Sequence, residues 1–186
     1  YVAGDPQASP GQKASALFQT GVRINGHEGE LQLNNSGAQM SIFCLGPLRV
    51  FRDGKCITDA EWGQTKGPTQ KVKALFAYLL AKGARGATKD AIIELLWGDQ
   101  LVDDKVDARM HAALYYLRRA LEPALSSRAE SRYIIYENGC YKLSPPDGLW
   151  VDAVAFKEYY QHAQRLEEEG QKDIAARFWK LAEALY

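Results

Sequence analysis

The residues best equipped for chemistry lie between Lys105 and Arg132. Six cations stand there (Lys105, Arg109, Arg118, Arg119, Arg128, Arg132) against three acids (Asp107, Glu122, Glu130), in a chain whose 23 basic and 23 acidic residues cancel overall. His111, Tyr115 and Tyr116 are interleaved with them. Guanidinium groups clamp phosphates or read guanine edges, and tyrosines bond phosphate or stack on sugar. The chemistry on offer is recognition of a polyanion, without bond-making.

Spacing says how these side chains would be presented. Met110, Leu114, Leu117 and Leu121 form an apolar stripe at helical period, predicting a helix from about 103 to 122, limited by Pro123. With that stripe turned inward at roughly 100° per residue, Ala108, Ala112, Tyr115 and Arg119 point outward. Tyr116 lies on one flank, His111 and Arg118 on the other. Two alanines keep the outward row slim enough to enter a groove, and a methyl can pack on thymine. The candidate contacts on this helix are therefore Ala108, Arg109, His111, Ala112, Tyr115, Tyr116, Arg118 and Arg119. The plain alternative is a solvated helix face with ordinary charges. Asp103, Asp104 and Asp107 at the helix start are read as caps that complement the helix dipole.

Two further groups extend the candidate surface. Arg132, Asn138 and Lys142 are the polar reach of a predicted hairpin, whose Tyr141 is read as a packing residue. Lys66, Lys71 and Lys73 precede or open an earlier helix, and Lys71 is placed with the candidate contacts. A soluble face fits these lysines equally well.

Other chemistries find no support. There is no G-x-S-x-G, no phosphate-binding glycine loop and no paired-carboxylate pattern, and the enzyme class is set aside. The histidines (His27, His111, His162) are too dispersed for a metal or catalytic site, so neither metal nor cofactor is expected. Cys44, Cys56 and Cys140 show no C-x-x-C spacing and are read as buried or idle thiols in a reducing compartment. No apolar run approaches the roughly 18 residues of a membrane span. A cytoplasmic location without membrane association is the expectation.

The elements that must position the candidate residues follow from period and punctuation. Residues 1–40 read as linker with a possible β-hairpin extension (Gly21–Asn25 and Glu30–Leu33). Short strands follow at Ser41–Leu45, Leu48–Arg52 and Lys55–Thr58, a small antiparallel sheet. After the breaker-rich Gly63–Pro68 stretch, Val72, Leu75, Phe76, Leu79 and Leu80 predict a helix over 69–82, ended by Gly83 and Gly86. Thr88 caps a second helix carrying Ile92, Ile93, Leu96 and Trp97. The third helix is followed by strands Tyr133–Tyr136 and Tyr141–Ser144 about Glu137-Asn138-Gly139-Cys140. Beyond Pro145-Pro146-Asp147-Gly148, two helices at about 152–168 and 172–186 form a helical hairpin broken at Gly170. Phe156, Tyr159, Tyr160, Ala163 and Leu166 mark one apolar face; Ile174, Ala175, Phe178, Leu181, Ala182 and Leu185 mark the other. The chain stops within this second pattern without a C-cap signal, so further repeats are expected beyond Tyr186.

The order sheet, helix, helix, long helix, hairpin is the signature of an α+β winged helix-turn-helix. Ile42–Val50, Glu94-Leu95-Leu96-Trp97-Gly98-Asp99, Leu117–Pro123 and Gly139-Cys140-Tyr141-Lys142-Leu143 resemble the OmpR/PhoB-type domain, in the version of the antibiotic regulatory protein (SARP) family. Val151-Asp152, Phe156, Ala163, Leu166, Gly170 and Ala184-Leu185-Tyr186 resemble the opening of the bacterial transcriptional activation domain that follows in that family. The longer Thr65–Gln70 stretch and Cys140 at the wing depart from the pattern. The resemblance implies a winged helix over 41–146 with an N-terminal antiparallel sheet and C-terminal wing. Over 147–186 it implies the first TPR-like hairpin of a truncated activation domain. It further implies sequence-specific binding to double-stranded promoter DNA, often at direct repeats, with recruitment of RNA polymerase and a possible homodimer on DNA. The competing expectation is a protein-interaction or ligand-sensing module whose winged helix no longer binds DNA.

Overall fold

The computed structural model describes residues 39–63, 65–98, 105–126, 129–144 and 148–186. The candidate hairpin strands Gly21–Asn25 and Glu30–Leu33, and the caps Asp103 and Asp104, lie outside these residues. In chain order the elements are β1 (Met40–Phe43), β2 (Arg49–Arg52), β3 (Lys55–Cys56), α1 (Asp59–Trp62), α2 (Lys66–Lys82), β4 (Ala87–Thr88) and α3 (Lys89–Trp97). They continue with α4 (Val106–Leu121), β5 (Ile134–Glu137), β6 (Cys140–Leu143), β7 (Leu149–Val151), α5 (Asp152–Glu168) and α6 (Lys172–Glu183). This is a mixed α+β chain. It divides into two compact units, one from Ile57 to Pro146, the other joining the chain up to Cys56 with Asp147–Tyr186. Strands β1 to β3, grouped by sequence with the three central helices, thus cluster with the helical hairpin.

In the hairpin unit the sheet order is β3-β2-β1-β7. β1 pairs antiparallel with β2, Ile42 opposite Val50, and parallel with β7, Ile42 opposite Val151. The sheet is therefore mixed, which corrects the expectation of a wholly antiparallel one. Leu149-Trp150-Val151 is buried at every position, so it lacks the apolar–polar alternation that betrays a strand. The helices close over Trp150, with Ala155, Tyr159, Ala163, Phe178, Leu181 and Ala182 forming the core. Alanines at the contact let the two helices approach. Gly170, at φ +79°, ends α5 in a left-handed cap. The Gln171 amide donates to the Leu166 carbonyl at 2.8 Å, and the Gly170 amide to Glu167 at 3.0 Å. Tyr160 and Ile174, predicted for the apolar faces, are 41% and 43% exposed; Tyr160 packs edge-on against Trp179 at 4.9 Å.

The other unit is built on α2, α3 and α4. Pro68 sits in the first turn of α2, where no intrahelical amide bond is lost, so the helix starts earlier than the breakers suggest. The Thr88 hydroxyl accepts the Ala91 amide at 3.2 Å and caps α3 as expected. The short α1 went unread in the sequence. Its capping box is in place, with Glu61 accepting from the Thr58 amide at 2.8 Å. β5 and β6 meet through Asn138-Gly139 at φ +52° and +76°, the two-residue turn that favours this pair. β4 adds a third strand, paired with β6. Gly86, at φ +67°, lies so close to β6 that a Cβ would stand 2.6 Å from the Tyr141 carbonyl oxygen. Only glycine fits there.

Candidate nucleic-acid interface

Helix α4 carries most of the candidate residues, and its two faces differ sharply. Met110, Ala113, Leu114, Leu117, Ala120 and Leu121 are buried, which includes the whole predicted stripe. Ala108, Arg109, His111, Ala112, Tyr115 and Arg119 are exposed, while Tyr116 and Arg118 are half-buried. Tyr115, 53% exposed, lies edge-on to Tyr116 with ring centroids 5.5 Å apart. Burying one face of a helix of this length fixes it rigidly. The opposite face then stands as a ridge of small, aromatic and cationic side chains.

Arg118 is the least satisfied of these groups. Its Nε is buried and has no hydrogen-bond partner among the described residues, a condition that costs about 1–3 kcal/mol for an ordinary buried donor. Arg119 makes one long bond, from Nη1 to the Leu125 carbonyl at 3.4 Å. Both arginines line a pocket of about 180 Å³ with His111, Tyr115, Ser126 and Tyr141. Leu125, Ser126, Ala129 and Tyr141 were not singled out from the sequence for this place. The first three follow Pro123 without periodicity, so no spacing announces them; Tyr141 was read as packing alone. A second, more apolar cleft of about 450 Å³ lies between the start of α2, the end of α3 and α4, lined by Pro68, Val72, Trp97, Ala113 and Tyr116 among others.

The candidate lysines are committed within the chain. Lys71 donates to the Leu96 carbonyl and lies over the Trp97 ring at 5.0 Å, closing the C-terminus of α3. Lys142 pairs with Glu137 at 2.7 Å across the hairpin and holds that carboxyl below its ordinary range. Lys73 pairs with Asp59 at 2.5 Å, and Lys89 with Asp107 at 2.5 Å. The Asp107 carboxylate beside it raises Lys89 above its ordinary value. Lys71 is thus a helix cap, and the capping aspartate Asp107 answers a lysine as well as a dipole. Asn138 sits exposed at the hairpin tip. Arg132 is exposed before β5, its amide donating to both Glu122 carboxylate oxygens at 2.9 and 3.1 Å.

The thiols, read as buried or idle, form no disulfide among the described residues. Cys44 and Cys56 are exposed, and Cys140 is half-buried. Among the described residues, no helix is long and apolar enough to cross a membrane, and no group of His, Cys, Asp or Glu is placed to hold a metal ion.

A solved structure matches this arrangement. It is EmbR of Mycobacterium tuberculosis in complex with a low-affinity phosphopeptide, with a TM-score of 0.63 and 23% identity over 80% of this chain. The chain has an EmbR-like fold. It spans 36% of the EmbR chain. No family model matches the chain, and no curated protein does.

Proposed function

We propose that this chain is a sequence-specific DNA-binding transcription regulator. Helix α4 lies in the major groove and the β5–β6 hairpin reaches the adjoining backbone as a wing. The observation that carries this reading is the division of α4 between a wholly buried stripe and an exposed row of Ala108, Ala112, Tyr115 and Arg119. A groove-reading helix needs that combination of rigidity, slimness and cation-bearing reach. The EmbR-like fold supports it, and so does the resemblance of the sequence to the antibiotic regulatory protein family. Arg118, Arg119 and Arg132 supply the charge, and Lys71 and Lys142 hold the frame. The chain acts by binding in the cytoplasm without catalysis. RNA polymerase and a second copy of the protein on repeated half-sites are its further partners.

Band shifts of the full chain on promoter fragments and on scrambled duplexes test this reading. Specific regulators bind their sites about 10³-fold or more tighter than random DNA. A preference of that order supports the proposal. Equal affinity for every duplex, or none for any, favours an interaction module whose winged helix has lost DNA.

A further inference from the structure

Beyond DNA reading, we infer that the pocket behind the C-terminal half of α4 is a binding site for a small phosphate-bearing anion. Its walls are Arg118, Arg119, His111, Tyr115, Ser126 and Tyr141, with a volume of about 180 Å³. Two guanidiniums, an imidazole and three hydroxyls supply donors, and none of the described lining residues is acidic. That composition suits an oxyanion: arginine offers a planar fork of donors to tetrahedral oxygens, and hydroxyls complete the shell.

The second observation is independent of composition. Arg118 has a buried Nε that nothing among the described residues satisfies. Buried donors are paired in the great majority of cases, so one left over beside a polar cavity points to a group from outside. Arg119 is held toward the same wall by its bond to the Leu125 carbonyl, which limits the ordering needed on binding. The neighbouring lysines compete little for the ligand, because Lys89 and Lys142 are paired with Asp107 and Glu137.

Affinity of the pocket for the anion does not depend on the DNA reading. Its regulatory consequence does, since Tyr115, Arg118 and Arg119 serve both: an anion in the pocket takes donors that would otherwise meet the DNA backbone. The shared chemistry is a phosphate oxygen, and its source is either a DNA backbone phosphate or a free ligand.

Inorganic phosphate is the probe, titrated into the full chain without DNA and compared with chloride at equal ionic strength. Thermal unfolding and calorimetry are the readouts. A saturable rise in Tm with phosphate and none with chloride is expected, as is an apparent Kd about tenfold or more weaker in Arg118→Met. That variant keeps the aliphatic stem, and Arg119→Met gives a second test should it fold poorly. In a separate arm, phosphate should displace DNA from the wild-type chain more strongly than isoionic chloride does. Phosphate that stabilises no better than chloride overturns the pocket even if DNA binds, and leaves only a backbone contact. Phosphate that binds both variants as tightly as it binds wild type also overturns it. Phosphate binding without any DNA binding upholds the pocket and overturns the DNA reading instead.

Discussion

Asp152 and Arg118 are both charged groups drawn partly out of water, and the chain treats them in opposite ways. Asp152, in the hairpin unit, is 2% exposed. Its carboxylate accepts from the Cys44 amide at 2.9 and 2.8 Å, the Leu45 amide at 3.0 Å, the Ala153 amide at 2.7 Å and the Cys44 thiol at 3.1 Å. Arg118, in the α2–α4 unit, keeps a buried Nε with no partner among the described residues. A buried charge whose partners are all internal locks a fold, here joining the end of β1 to the start of α5. A buried donor left unpaired sacrifices stability at a place where something external binds. The first charge is structural; the second is where the proposed external anion would bind.

That contrast breaks most visibly at Asp152. Asp152→Ala strands several amide donors and should cost about 3 kcal/mol or more in urea unfolding followed by tryptophan fluorescence. Asp152→Asn, which keeps one acceptor oxygen, should cost less. A loss below about 0.5 kcal/mol for the alanine variant would remove the distinction.

The same lock sets the chemistry of Cys44, whose thiol is pushed up from 9.0 to about 11 by desolvation and then by the Asp152 carboxylate. At pH 8 its thiolate population, and its alkylation by iodoacetamide, should be about 100-fold below that of a free thiol peptide. Asp152→Ala should restore much of the rate. Because the folded value lies above the unfolded one, the associated stability is present below about pH 9 and lost on rising toward 11. Wild type should therefore weaken more steeply over that window than Cys44→Ala.

A smaller effect sharpens the comparison inside the α2–α4 unit. Thr88→Ala removes the cap of α3 and should cost about 1 kcal/mol in the same urea experiment. Arg118→Met should be no less stable than wild type, and more stable by about 1 kcal/mol, since it removes an unpaired donor and keeps the stem. If it instead destabilises the chain as Asp152→Ala does, Arg118 is a structural residue.

Periodicity made much of this legible. Leu114 and Leu117 announce the buried side of α4, and hence its outward row, because helix geometry alone carries the inference. Thr88 and Asn138-Gly139 mark a cap and a turn through strictly local chemistry. What stayed hidden depends on contacts far along the chain. Leu149-Trp150-Val151 becomes a strand only by pairing with β1, and Tyr141 joins Arg118 in lining one pocket only in the fold. Lys71 reads equally as a phosphate contact or a soluble face, because sequence shows a charge and not the Leu96 carbonyl to which it donates. Gln39 likewise shows nothing of its link to Asp53, whose amide donates to its carbonyl at 2.9 Å.

The central claim is that the arginines of α4 face an external polyanion, and the salt dependence of DNA binding tests it most directly. With wild type and Arg118→Ala/Arg119→Ala, the affinity for one promoter duplex is measured from low to moderate salt. The account predicts a steep linear fall of log K with log salt for wild type, and a slope shallower by about 2 in the double variant. Identical slopes, or binding indifferent to salt, would contradict it.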